Sequence, residues 1–445
     1  MSTDRVASAP DFDIDDAAFV EAAGADWSDV ADEIARLREE RVVVNMGPQH
    51  PSTHGVLRLI LELSGETVTE TRVGIGYLHT GIEKTMEYRT WTQGVALATR
   101  MDYVASMANE LTYVMAVEKL LGLGEAIPVR GQLIRVLMAE LTRVASHLIA
   151  VGTGGNELGG TTLMTVGFRG REEILRFFEM VTGQRMNNAY LRVGGVAQDL
   201  PPDALTFLRA GFAGILRSID DLEDLLMRNP IYRGRLEGIG YLDVTGCMAL
   251  GMTGPVLRAA GLPFDLRRDL PYCGYEDFEF DVVTETTADA WGRFMVRMRE
   301  MRQSLRIVAQ CIERLEASPG PVMVADGRIA WPSRLSLGPD GQGQSPAHVR
   351  EMLAGSMESL IHHVKLVSEG FRVPVGQVFA QTEHPKGSHG VHLVSDGGTR
   401  PYRAHVREPS FNALQAMAAI CDGGTVSDVI VGLASLDPVV GGVDR

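Results

Sequence analysis

An α+β fold, with a large central helical bundle flanked by small β elements at either end of the chain, is what the sequence predicts. Three observations carry it. Apolar residues recur at helical spacing through most of the stretch from residue 82 to 370. Alternating apolar and polar residues on either side of Ser64-Gly65 read as a hairpin, and the pattern returns to short strands after Gly370. The chain divides accordingly into an acidic extension (1–40), a loop and β-hairpin (41–80), a helical core (81–370) and a C-terminal β and helix element (371–445).

The extension carries Asp4, Asp11, Asp13, Asp15, Asp16, Glu21, Asp26 and Asp29 with little apolar content, the composition of a disordered or docking tail. From Asn45 to Gly55 the chain reads Asn-Met-Gly-Pro-Gln-His-Pro-Ser-Thr-His-Gly. Pro48 and Pro51 forbid a regular helix while Gly47 and Gly55 permit tight turns, so a rigid loop presents His50 and His54 at the mouth of a strand. Spacing alone leaves two readings open, a functional pair or two solvated histidines, since His-x-x-x-His is a ligand pair only on a helix.

The hairpin spans Gly55–Leu63 and Glu66–Gly74. Helical periodicity then runs from Ile82 to about Gly122, and a second helix from about Gln132 to Val151, ended by Gly152 and the Gly154-Gly155 pair. Further helices are expected at Glu173–Gly183, Asp203–Met227, Ala288–Leu315 and Ser345–Gly370. On the long one Trp291, Phe294, Met298, Met301, Leu305 and Val308 form a single stripe, the signature of a buried face. Met101, Met107 and Met115 are read the same way, with a channel lining as the alternative. Strands at Pro374–Thr382, Val391–Ser395 and Pro401–Val406 precede a helix near Phe411 and the apolar Val429–Leu436.

Composition excludes several functions. A formal charge of −15, from 57 acidic against 42 basic residues, opposes nucleic acid and anionic membrane surfaces as direct partners. Cys247, Cys273, Cys311 and Cys421 form no Cys-x-x-Cys, so neither a zinc nor a cluster motif is visible, and a reduced compartment fits. No run of about 18 uncharged apolar residues suggests a membrane span, and the start has no export signal pattern.

The loop, its hairpin and Gly76-Tyr77-Leu78-His79-Thr80-Gly81-Ile82-Glu83-Lys84 resemble the quinone-site subunit of respiratory complex I, the D-type subunit of the bacterial NADH:quinone oxidoreductase. Collinear matches follow: Arg100-Met101-Asp102-Tyr103-Val104, Arg192-Val193-Gly194-Gly195, Gln198-Asp199-Leu200-Pro201, Met301 to Arg306, Ser356 to His363 and Val394-Ser395-Asp396-Gly397. The likeness covers the chain from about residue 42 to its end. It implies a peripheral-arm subunit that binds no cofactor itself. Quinone is the substrate, and the FMN and iron–sulfur clusters lie in partner subunits. The implied neighbours are the B-type subunit with the terminal cluster, the C-type subunit and the H-type membrane subunit, at the cytoplasmic face of the bacterial plasma membrane.

The resemblance also implies roles. The loop's second histidine and the motif tyrosine, here His54 and Tyr103, hydrogen-bond the quinone head-group. These types suit the chemistry, because imidazole exchanges protons near neutrality and a phenol donates without charge. An acidic partner of that histidine matches Glu157, where relatives carry aspartate. Arg100 matches a guanidinium near the terminal cluster, with Asp102 or a helix carbonyl as its alternative partner. Thr80 and Asn187 stand where relatives place arginine and histidine near that cluster. Less positive charge there lowers the cluster's potential, so menaquinone is the expected acceptor.

Relatives share ancestry with nickel–iron hydrogenase large subunits, whose metal is held by paired thiolates, the later pair in Asp-Pro-Cys-x-x-Cys. Here that end reads Asp437-Pro438-Val439-Val440-Gly441-Gly442, so a hydrogenase-like fold without its metal site is expected, the vacated cavity serving as quinone pocket. Glu383-His384-Pro385-Lys386-Gly387-Ser388 resembles the family's Glu-x-Pro-Lys-Gly-Glu turn beside that cavity. The rival readings are a subunit of a ferredoxin-linked membrane oxidoreductase and a scaffold without a site. The thiol pattern makes a direct prediction: the purified chain binds no iron, nickel or zinc in stoichiometric amount. Elemental analysis finding about one tightly held ion per chain overturns it.

Overall fold

The computed structural model describes residues 41–48, 55–329, 350–351 and 354–445. His50, His54, the acidic extension and the first residues of the expected Ser345–Gly370 helix lie outside these. Strands β1 (Arg41–Met46), β2 (Arg58–Ser64) and β3 (Thr67–Gly74) form an antiparallel sheet in the order β1-β2-β3. The hairpin turns at Gly65, whose φ of 63° suits glycine. β1 is an addition to the sequence reading, which began a loop at Asn45; its residues pair with β2 from Arg41↔Ser64 to Met46↔Leu59.

The helical stretch after the sheet is three helices, α1 (Ile82–Tyr88), α2 (Trp91–Ala98) and α3 (Ser106–Leu121). Thr90 caps α2 through a reciprocal box with Gln93. The break before α3 has a local cause, because the Asp102 carboxylate accepts the amides of Val104 at 2.9 Å and Ala105 at 3.1 Å and so competes with helix continuation.

α4 (Val129–Glu157) and α5 (Thr161–Thr182) form the centre with α6 (Ala204–Met227) and α7 (Ala290–Ala317). Here the sequence reading needs two corrections. α4 passes straight through Gly152, Gly154 and Gly155, and α5 begins twelve residues before Glu173. The glycines are there for close approach: a Cβ on Gly167 of α5 would lie 2.6 Å from the Leu148 carbonyl oxygen of α4, and one on Gly152 would lie 3.3 Å from the Leu163 oxygen. The α7 stripe behaves as expected, with Phe294, Met298, Met301, Leu305 and Val308 buried in the main core and Trp291 packed against it.

After α8 (Met357–Ser368), strands β4 (Gly376–His384), β5 (Gly387–Ser395) and β6 (Arg403–Arg407) make a second antiparallel sheet laid on α3. The chain ends in short helices, then α9 (Val426–Leu436) and α10 (Val440–Asp444). These return to the N-terminal sheet, where Val68 exchanges backbone hydrogen bonds with Gly423 and Gly424, and Leu57, Leu59, Leu61 and Leu63 share an apolar cluster with Val429, Leu433 and Val440. Mixed helix and small antiparallel sheets is thus an α+β architecture. Among the described residues no helix is long and apolar enough to cross a membrane.

Gly167→Ala should destabilise the chain by about 1–3 kcal/mol, since its methyl meets backbone rather than a movable side chain. Thermal unfolding reads this out; an unchanged midpoint would mean that α4 and α5 do not touch there.

Candidate functional site

Tyr103 sits half-buried on the turn between α2 and α3, next to wholly buried Asp102. The second Asp102 oxygen faces the Lys386 ammonium at 3.0 Å and His384 Nε2 at 3.7 Å. Lys386 projects from the tip of the β4–β5 hairpin, closed by the His384↔Gly387 pair, and donates to Ser146 Oγ of α4 at 3.0 Å. Asp437, at the end of α9 with φ 53°, brings its carboxylate to 3.6 Å from the same nitrogen. Burial works against a charged ammonium, but Asp102 and Asp437 outweigh it and raise the Lys386 pKa. Burial and then Asp102 raise the Tyr103 pKa, with Lys386 opposing, so the phenol is neutral and a donor.

The hairpin tip reaches this place because glycine lets it. Gly387 has φ 135°, and a Cβ on it would lie 2.5 Å from Thr253 Oγ1 and 3.0 Å from the Thr253 carbonyl. Backbone passes backbone where a side chain does not fit.

α10 forms the adjoining wall. A Cβ on Gly441 would lie 2.7 Å from the Met101 carbonyl oxygen and 3.1 Å from the Tyr103 ring, and its neighbour Val440 would be 3.5 Å from a Cβ on Gly55. Gly55 directly follows His54. Two consecutive α10 residues therefore join Gly55 to Tyr103. Asp444 holds the Gly76–Thr80 segment, accepting from Gly76 N at 2.8 Å and Leu78 N at 2.7 Å, and Arg445 Nε reaches Glu83 at 2.9 Å. On the far face of α10 an apolar cavity is lined by Val73, Ile75, Phe411, Leu414 and Val443; Tyr103 is not among its walls.

The other sequence-named residues lie further out. Thr80 is exposed at the end of the segment Asp444 holds, and exposed Arg100 donates to the Ala96 carbonyl, the helix-carbonyl alternative. Asn187 is part-buried with φ 53°. Its neighbour Asn188 accepts from Ser106 Oγ at 3.4 Å, which sets this segment beside the start of α3. Glu157 ends α4 eleven residues beyond Ser146, about 16 Å of helix rise from the Lys386 cluster.

What sequence reasoning passed over is the charge behind Tyr103. A second set of ion pairs continues from the hairpin: Arg258 bridges Glu383 at 2.7 Å and Glu300 at 2.6 Å, and Glu300 lies 3.0 Å from His147 of α4. Burial pushes the His147 pKa down to about 4, so its neutral ring donates to Glu300. Burial raises Glu300, yet Arg258 and that hydrogen bond hold it down at about 2. Arg267 joins Asp265 at 2.7 Å and Glu140 at 3.1 Å. One local signal was present, a lysine in a Pro-Lys-Gly turn. Among the described residues no group of three or more His, Cys, Asp or Glu side chains is placed to hold a metal ion.

Lys386→Met should cost about 3–5 kcal/mol, because it strands two buried carboxylates, and adding Asp102→Asn should recover part of the loss. Equal stability of wild type and single variant by denaturant unfolding would show that the ammonium is not what neutralises them.

Comparison with known proteins gives the family. Residues 157–445 match the family described as respiratory-chain NADH dehydrogenase, 49 kDa subunit. The first of the D-type NADH-quinone oxidoreductase subunits of Streptomyces avermitilis is 59% identical over 445 residues, the whole of both chains. The second D-type subunit of Streptomyces coelicolor is 61% identical over 95% of this chain and 96% of its own, and the D-type subunit of Rhodococcus jostii 60% identical over 95% and 98%. With whole-length likeness at this level, the chain belongs to the 49 kDa (D-type) subunit family of the respiratory NADH dehydrogenase.

Proposed function

We propose that this chain works within a proton-translocating NADH:quinone oxidoreductase, where with a cluster-bearing neighbour, the B-type subunit, it forms the pocket in which quinone is reduced and protonated. Tyr103 and His54 donate hydrogen bonds to the two carbonyl oxygens of the head-group, and Glu157 orients or recharges the histidine. Electrons arrive from the neighbour's terminal cluster, with Arg100, Thr80 and Asn187 on the surface toward it. The quinone is menaquinone, since Thr80 and Asn187 withhold positive charge from that cluster and leave it at low potential. The C-type and H-type subunits complete the surroundings, and the chain is held at the cytoplasmic face of the membrane through them. FMN and iron–sulfur clusters belong to the partners.

One observation carries this reading. Val440 and Gly441 of α10 bring Gly55, at the foot of the histidine loop, and the Tyr103 ring against one short helix. A neutral phenol half-exposed beside a buried ion cluster has what a two-electron, two-proton reduction needs, a donor whose pKa is held up until a developing quinone oxyanion takes its proton.

In the assembled complex Tyr103→Phe and His54→Ala should each lower quinone reductase activity about a hundredfold, while NADH oxidation by an artificial acceptor is unchanged. Glu157→Gln should give a smaller loss. Equal loss of both activities, with assembly preserved, would remove these residues from the quinone step.

A further inference from the structure

Behind Tyr103 the core holds titratable side chains that this function does not yet use. Glu408, wholly buried after β6, accepts from Ser410 Oγ at 3.2 Å with one oxygen, and its other oxygen lies 3.4 Å from His389 Nε2. His389 Nδ1 is 3.1 Å from Thr112 Oγ1. The His389 and His384 rings lie 5.5 Å apart, and His384 Nε2 is 3.7 Å from the Asp102 oxygen that faces Lys386. The row thus runs from Glu408 to the residue preceding Tyr103.

The two histidine–carboxylate contacts are close without being aligned hydrogen bonds. His389 Nε2, Glu408 Oε2 and Asp437 Oδ2 are buried with no aligned hydrogen-bond partner, while Asp102 Oδ2 already meets the Lys386 ammonium. Polar atoms of this kind, gathered within a few ångströms, are the usual holders of internal water, and water between them makes a proton path. α10 ties the two ends together: Gly441 lies on the Tyr103 ring, and a Cβ on Gly442 would lie 2.9 Å from the Glu408 carboxyl carbon.

We propose that Glu408, His389, His384 and Asp102 form an internal proton store for Tyr103, with Glu408 the acid that returns a proton to the phenol after quinone reduction. This rests on the reading of Tyr103 as a proton donor. The quinone takes two electrons from the partner's cluster and two protons, one of them from Tyr103, which is left as tyrosinate. The Glu408 O–H bond then breaks, protons shift through the histidines and intervening water, and the Tyr103 O–H bond re-forms. Glu408 is left a carboxylate until solvent resupplies it.

The electrostatics fit that task. His389 from β5, Asp102 and Lys386 across the hairpin, and Arg407 at the end of β6 are the titratable groups around Glu408, with Arg445 at the chain's end acting on His389. Burial first, then Asp102, lifts the Glu408 pKa to about 7 against the opposing Lys386. It therefore keeps its proton in mildly acidic conditions and loses it above neutrality. Burial, then Arg445 and Arg407, push His389 down to about 3, so its neutral ring accepts on one nitrogen and donates on the other.

The test uses the assembled complex. Glu408→Gln should lower quinone reductase about tenfold or more, leave NADH oxidation by an artificial acceptor unchanged, and abolish the decline in rate as pH rises past about 7. The reduction-induced infrared band of a neutral carboxylic acid should vanish with it, and Glu408→Asp should restore part of the rate with a shifted band. A Glu408→Gln complex with the wild-type rate, pH profile and infrared spectrum overturns the store. If that variant does not assemble, an unmoved band in Glu408→Asp overturns it equally. Tyr103→Phe separates the two claims: full quinone reductase there defeats the role of Tyr103 itself, whereas loss there beside a silent Glu408→Gln defeats only the store.

Discussion

A single buried ammonium binds three distant parts of the chain together. Lys386 at the β4–β5 tip faces Asp102 before α3, Ser146 in the middle of α4 and Asp437 after α9. An ion of this kind is tolerated in the interior only when its partners are in place, so the hairpin tip has very little freedom to sit elsewhere. The turn that carries Tyr103 inherits that constraint. Its position is fixed by the neighbouring Asp102, whose first oxygen caps the turn and whose second meets the ammonium.

The same logic runs along α4, a deeply buried helix several of whose polar residues find partners inside. Glu140 meets Arg267, Arg143 donates to the Glu383 carbonyl, Ser146 meets Lys386 and His147 meets Glu300. These side chains reach distant segments of the chain. Such a core is registered by its charges as well as by its packing, and one missing partner leaves an uncompensated ion rather than a small void.

Much of the fold was legible in the sequence, because periodicity is a local property. The α7 stripe, the extent of α6 and all three C-terminal strands follow from spacing and turn residues. The misplaced end of α4 has a plain cause. Gly152 and Gly154-Gly155 carry the composition of a helix end, yet their purpose is the contact of α4 with α5 and α7, where a Cβ on Gly154 would lie 2.5 Å from the Phe294 ring. Whether a glycine stops a helix or lets another one approach depends on residues far away in sequence. The site divides in the same manner. Tyr103 was singled out as a candidate by its motif, while the partners of Lys386 were not, since ion pairs between residues 102, 386 and 437 leave no local pattern.

The last residues show how few positions can join a site together. Val440 lies against Gly55, Gly441 against the Tyr103 ring and Gly442 against the Glu408 carboxyl, while Asp444 and Arg445 anchor the segment leading into α1. Both glycines are required by contact, since any side chain would strike the Met101 carbonyl or the Glu408 carboxyl carbon. A helix one turn long has little stability of its own, so its place comes from the apolar cluster shared with the N-terminal sheet and from the Asp444 and Arg445 contacts. The two ends of the chain therefore have to fold against each other before Tyr103 has a wall.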